Sequence, residues 1–221
     1  EVAALPDAQS ALHLVRQCVS FCKLAYSVRT VPPSLHSGVL KEFSEDIRAA
    51  LSQMLDGAVD DRAWHQAQLA IKRSGLGLRA AEKHSTAAFL ASVSSVQDLC
   101  VSIDGNFDIG DARGHIHLGT TKQMFRGSIL PEAAVELDGR KHRQKFLSSL
   151  VDAKLEQDLR GRADAATSFK AHVSLQSLHG AGAWLTATPC DDARTIDAPL
   201  FKIGVKRRLR MRIQDADTFC P

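Results

Sequence analysis

The residues with the most capacity for chemistry are clustered cations. Lys202, Lys206, Arg207, Arg208, Arg210 and Arg212 stand between Pro199 and Gln214 with no acid among them. A second group, Lys72, Arg73 and Arg79, brackets Ser74-Gly-Leu-Gly-Leu78. A third run holds Arg140, Lys141, Arg143 and Lys145. Cations without balancing carboxylates neutralise phosphates, so each cluster is a candidate contact with a nucleic-acid backbone. The simpler reading is a solvated helix face, and it is preferred for the third run. The overall balance, a net charge of +3, decides nothing by itself.

Other chemistry is sparse. His115-Ile-His117 has the spacing of two ligands on one strand, but no third ligand lies near. Cys18 and Cys22 sit one helical turn apart with no matching second pair, and read as core residues. Asp60-Asp61 reads as a helix cap and Asp191-Asp192 as a loop. There is no nucleophile elbow and no phosphate loop. The sequence therefore calls for no catalytic residue, no metal and no cofactor.

The elements that must position these groups are helices. Asp7 is the expected cap of a helix over residues 7–29, apolar on two faces and ended by Pro32-Pro33. A second helix over 35–55, capped by Ser34, presents Leu35, Val39, Phe43, Ile47, Leu51 and Met54, and Gly57 closes it. Asp60 or Asp61 caps a third, which runs into the glycine joint at Leu69–Leu78. Residues 79–99 form a fourth, with His84 on its apolar side.

Residues 103–130, punctuated by glycines, are expected to be irregular. Helix resumes at Pro131 and again after the basic run, through about Leu159. One or two short helices follow over 163–178, then a tight turn around Trp184. The terminal cluster carries both a strand-like alternation and the helical set Phe201, Val205 and Leu209; helix is favoured, with strand left open. The fold class is thus mainly α, an antiparallel bundle arrangement, divided as 1–102, 103–130 and 131–221.

Hydrophobic residues make up 44% of 221, enough for a packed core. No uninterrupted apolar run approaches a membrane span. The five cysteines are odd in number and follow no signal peptide, which favours reduced thiols and an intracellular compartment. The start at Glu1 and stop at Pro221 have the look of a piece of something longer.

The order of three blocks resembles a known family. Arg29-Thr-Val-Pro-Pro-Ser-Leu-His36 comes first, then a helix with Phe43, Ile47 and Arg48, then Trp64, Ala67 and Leu69 ahead of Ser74-Gly-Leu-Gly-Leu-Arg79. This resembles the thumb of reverse transcriptases from non-LTR retrotransposons, with Ser74 where the family's joint has its first glycine. Ala181-Gly-Ala-Trp-Leu185, Leu200-Phe201, Arg207-Arg-Leu-Arg210 and Phe219-Cys-Pro221 look like the linker that follows. In that family a zinc knuckle comes next, and Cys220 would be its first ligand. The resemblance covers most of the chain except about 103–130. The palm aspartates that hold two metal ions are missing, and the knuckle stops after one cysteine.

The resemblance implies a non-catalytic thumb and linker that grip an RNA or DNA backbone, at most an accessory part of an RNA-directed DNA polymerase, nuclear if that role is retained. The contacts expected are Lys72, Arg73, Arg79, Lys206, Arg207, Arg208, Arg210 and Arg212. The alternative is a retroelement-derived helical subunit of a larger protein assembly.

Overall fold

The computed structural model describes residues 1–107, 116–134, 144–162 and 166–213. Among them regular structure is helical throughout, so the chain is mainly α. Helix α1 is Ala8–Leu14, α2 Ser37–Met54, α3 Asp61–Gln68, α4 Ala81–Ile103, α5 Ile116–Gly127, α6 Gln144–Gly161, α7 Thr167–Gln176 and α8 Ala198–Arg208. They fall into two compact units that interleave along the sequence. The first takes Glu1–Cys22, Glu45–Arg79 and Asp158–Pro221; the second takes Lys23–Ser44 and Ala80–Gln157.

Asp7 caps α1, its carboxylate accepting the Gln9 and Ser10 N–H groups at 3.1 and 3.0 Å. The helix expected over 7–29 is not continuous. It widens into a π turn at Val15–Val19, closed by Ser20 N–H donating to Val15 O at 2.8 Å, and breaks at Ser20. The Ser20 hydroxyl donates to Arg16 O at 3.1 Å, a local bond that competes with the helical ladder. A 3₁₀ turn, Phe21–Leu24, and one helical turn, Ser27–Thr30, follow. Both expected apolar faces are buried only in part: Ala11, Leu12, Val15, Phe21 and Val28 are buried, while Leu14 is exposed and Tyr26 is 80% exposed. Cys18 and Cys22 are exposed thiols, not the core residues expected.

Helix α2 begins after a 3₁₀ turn at Pro33–Leu35 instead of at a Ser34 cap. Its buried stripe is Leu40, Ser44, Ile47, Leu51 and Met54; Leu35 and Val39 point to solvent. The stripe thus runs through a serine, which a reading of apolar positions passes over. Asp56, not Gly57, takes the left-handed residue that ends α2, at φ 47°. Asp56 N–H bonds Gln53 O and Gly57 N–H bonds Ser52 O, the paired bonds of a Schellman ending. The Asp56 carboxylate also pairs with Lys202 in the first unit.

Ser44 has a structural task in the second unit. Ala80, at the start of α4, has no side chain to cap it. The Ser44 hydroxyl accepts the Ala81 N–H at 3.2 Å and donates to Glu82 at 2.8 Å. The cap of α4 is therefore supplied from α2. Ser44→Ala is expected to cost about 1 kcal/mol, the usual value of a lost helix cap, measurable as a lower melting temperature.

The core of the second unit joins Ala87, Ala91, Phe125, Ile129, Leu147 and Val151 from α4, α5, α6 and the turn after α5. His84, fully buried on α4, faces buried Asp152 on α6, with Nε2 and Oδ1 3.4 Å apart. By length and composition α4 is apolar enough to cross a membrane, the one such helix among the described residues. Its first half is instead packed in this core.

Residues 116–127, expected within an irregular segment, form α5. His117 therefore lies on a helix, not a strand, its ring 3.3 Å from Ser34 Oγ. His115 lies outside the described residues, as do Arg140, Lys141 and Arg143. In the first unit Trp184 packs edge-on against Phe201, with ring centroids 5.4 Å apart, and helix is the outcome for 198–208. A helical α8 gathers Phe201, Val205 and Leu209 on one buried face.

Candidate nucleic-acid interface

The site is built on the joint after α3. Asp60 caps α3 by accepting the Ala63 N–H at 2.7 Å. The chain leaves α3 at Leu69, makes a 3₁₀ turn at Ile71–Arg73, and folds back on the end of the helix. The Leu76 and Leu78 N–H groups both donate to Ala67 O, and Gly77 N–H donates to Leu69 O at 2.8 Å. A Cβ on Gly75 would lie 1.9 Å from Leu69 O, so only glycine permits this approach. Gly77 sits at φ +79°, and a Cβ there would meet the Arg16 stem at 3.2 Å.

Ser74 is the residue least suited to its place. It holds φ 70°, ψ 0°, the left-handed region where a side chain costs energy. It is fully buried, and its hydroxyl has no hydrogen-bond partner. Ser74→Gly is expected to stabilise the first unit by about 1 kcal/mol, after allowing for the greater entropy of glycine when unfolded. A urea titration followed by tryptophan fluorescence measures this, since Trp64 and Trp184 both lie in that unit.

Arg208 departs furthest from expectation. It is 1% exposed. Its Nε–H donates to Gly75 O at 3.1 Å, Nη1 to Gln176 Oε1 at 2.7 Å and Nη2 to Ile71 O at 2.8 Å. Its own carbonyl accepts from Gln66 at 2.8 Å and from His172 Nε2 at 2.9 Å. Arg208 thus ties α8 to the joint and to the end of α7. Burial pushes its guanidinium down to about 10, and carbonyl dipoles take the place of water around the charge. It is not a phosphate contact, because its donors are already committed.

The other expected residues remain accessible. Lys72, Arg207, Arg210 and Arg212 are exposed; Arg73, Arg79 and Lys206 are half-buried. Lys145 is exposed in the second unit. Arg207 and Arg210 border a groove of about 620 Å³ with Ser168, His172, Gln176, Met211 and Ile213. Arg210 occupies the left-handed position after α8 at φ 51°, where glycine is the usual residue. Its side chain reaches Ser168 Oγ at 3.3 Å, and its carbonyl accepts from Arg62 at 3.1 Å.

A second groove, about 560 Å³, opens at the joint. Lys72 and Arg79 line it, and two residues the sequence did not single out join them, Arg16 and His13. Arg16 Nη1 donates to Leu185 O at 2.8 Å and Nη2 reaches His13 Nδ1 at 3.5 Å. Burial lowers the Arg16 pKa. A lone arginine inside an apolar helix carries no signal of this, and Arg16 lies on the π turn Val15–Val19. Among the described residues, neither groove is lined by a carboxylate.

The charged side chains lining each of these two grooves are, among the described residues, all cations. Among the described residues, no three or more His, Cys, Asp or Glu side chains gather in a group that could hold a metal ion. No family model, curated protein or solved structure matches the chain.

Proposed function

We propose that this chain binds nucleic acid through the phosphate backbone, as the thumb and linker portion of a non-LTR retrotransposon reverse transcriptase whose catalytic palm lies elsewhere. One observation carries the reading: among the described residues, these two grooves of the first unit are lined by cations and by no carboxylate. Lys72 and Arg79 serve the joint groove, Arg207 and Arg210 the other, with Arg73, Lys206 and Arg212 nearby in sequence. Such contacts position a duplex and carry little base information. The residue order from Arg29 to Arg79 and from Ala181 to Arg210 supports the retroelement origin.

The test is binding of the full chain to several duplexes of unrelated sequence, read by fluorescence anisotropy. Arg207→Ala with Arg210→Ala is expected to weaken every duplex alike, by about tenfold for two lost charge-assisted contacts. A loss confined to one sequence, or no binding at all, would count against the reading.

A second reading is a helical subunit of a larger protein assembly. It is favoured by the far half of α4, where Val96, Leu99, Val101 and Ile103 are 42–79% exposed. Apolar side chains exposed together mark a surface that contacts another molecule. Under that reading the chain purifies with a partner and shows no affinity for duplex.

A further inference from the structure

The joint groove differs in kind from an exposed basic face. Arg16, one of its three cations, is half-buried and held in one place by three features. Its guanidinium is anchored to Leu185 O at 2.8 Å. Its stem lies over Gly77, where a Cβ would stand 3.2 Å from Cδ. It is carried on the π turn Val15–Val19, a helix irregularity that recurs at functional sites. The His13 ring borders the same groove, its Nδ1 3.5 Å from Arg16 Nη2.

Lys72 and Arg79 complete the lining, and among the described residues no carboxylate competes. Contacts that merely track a backbone of phosphodiesters, each carrying one negative charge, need no fixed cation. A fixed, partly desolvated arginine with two further cations suits a compact dianion with three accepting oxygens. That is a phosphate monoester, whose second ionisation falls near pH 6.

We infer that the groove formed by His13, Arg16, Lys72 and Arg79 is a phosphate-monoester pocket, taking the terminal phosphate of a nucleic-acid strand or of a free nucleotide. For the strand end this rests on the backbone-binding reading above; for the nucleotide it stands alone.

The test uses the full chain and one oligonucleotide in three forms: 5′-phosphorylated, 3′-phosphorylated and unphosphorylated. One phosphorylated form is expected to bind about tenfold tighter than the unphosphorylated one, the scale of a good arginine–phosphate pair. Arg16→Gln brings that ratio to about one, whereas Arg207→Ala with Arg210→Ala lowers all three affinities and keeps the ratio. A nucleoside monophosphate and its parent nucleoside are titrated in parallel by calorimetry.

Heat from the monophosphate alone, lost in Arg16→Gln and in Arg79→Gln, supports the pocket even if no oligonucleotide binds, in which case only the backbone reading fails. Equal affinity for all three oligonucleotides, with no heat from the monophosphate, overturns the pocket. Melts followed by tryptophan fluorescence confirm that each variant is folded.

Discussion

Gly75→Ala is expected to destabilise the first unit by roughly 4 kcal/mol or more, a cost at the exceptional end for one substitution. The added Cβ would lie 1.9 Å from Leu69 O, 2.4 Å from Leu69 C and 2.7 Å from Gln66 O. All three are backbone atoms, so no side chain can rotate away. The end of α3 must move, and with it the Leu76 and Leu78 N–H bonds to Ala67 O. The Gly75 carbonyl also holds Arg208 Nε at 3.1 Å, so the shift reaches α8. Urea denaturation read through Trp64 and Trp184 measures the effect. Gly77→Ala is the internal comparison. It meets side-chain atoms of Arg16 and Ile71 rather than backbone, at a positive φ, and is expected to cost about 1–2 kcal/mol. A Gly75→Ala midpoint within error of wild type would mean that the joint does not pack this way.

Arg208→Ala is expected to cost about 3–5 kcal/mol, while Arg207→Ala, its exposed neighbour, stays within about 0.5 kcal/mol. The difference comes from what each removal leaves behind. Truncating Arg208 opens a cavity and removes the Nε–H donor from Gly75 O, a loss costing about 1–3 kcal/mol, while Ile71 O keeps only the Ser74 N–H at 3.2 Å. Truncating Arg207 returns an exposed position to water. The pH dependence follows from the same burial. The folded pKa of Arg208 is lowered to about 10, so the unfolded chain holds this proton more tightly. This group therefore adds stability only as pH rises past about 10, and the cost of Arg208→Ala is flat between about pH 6 and 9. Equal costs for the two neighbouring arginines would remove Arg208 from its structural role.

The contrast between Arg207 and Arg208 shows where the sequence was legible and where it was not. The caps and starts at Asp7, Asp60 and Pro199 were readable, because they act on backbone groups within a few residues, whereas the Ser34 cap and the α4 cap were not. The joint was readable as a place for glycine, although the contact that requires Gly75, with Leu69 O, is tertiary. No local pattern separates Arg208 from the other cations of its run. Its burial is decided by carbonyls that Ile71, Gly75 and Gln176 bring from far along the chain.

The same holds for Arg16. It is carried on the π turn before the break at Ser20, which a stripe of apolar residues over 7–29 does not show. Ser44 was hidden for the opposite reason: a polar residue in a buried stripe reads as an interruption until the Ala81 N–H that it accepts is in view. The interleaving of the two units is likewise set by long-range packing, with α2 and α6 each contributing residues to both.

The central claim is that the accessible cations of the first unit meet phosphates while Arg208 holds the fold. The most direct test is the salt dependence of duplex affinity for the full chain between about 50 and 200 mM salt, where log affinity falls with log salt by about 0.9 per phosphate contact. The wild-type slope is expected to be steep, and to drop by about 2 in Arg207→Ala with Arg210→Ala, at an unchanged melting temperature. A flat wild-type slope, or a slope that survives the loss of both arginines, would contradict it.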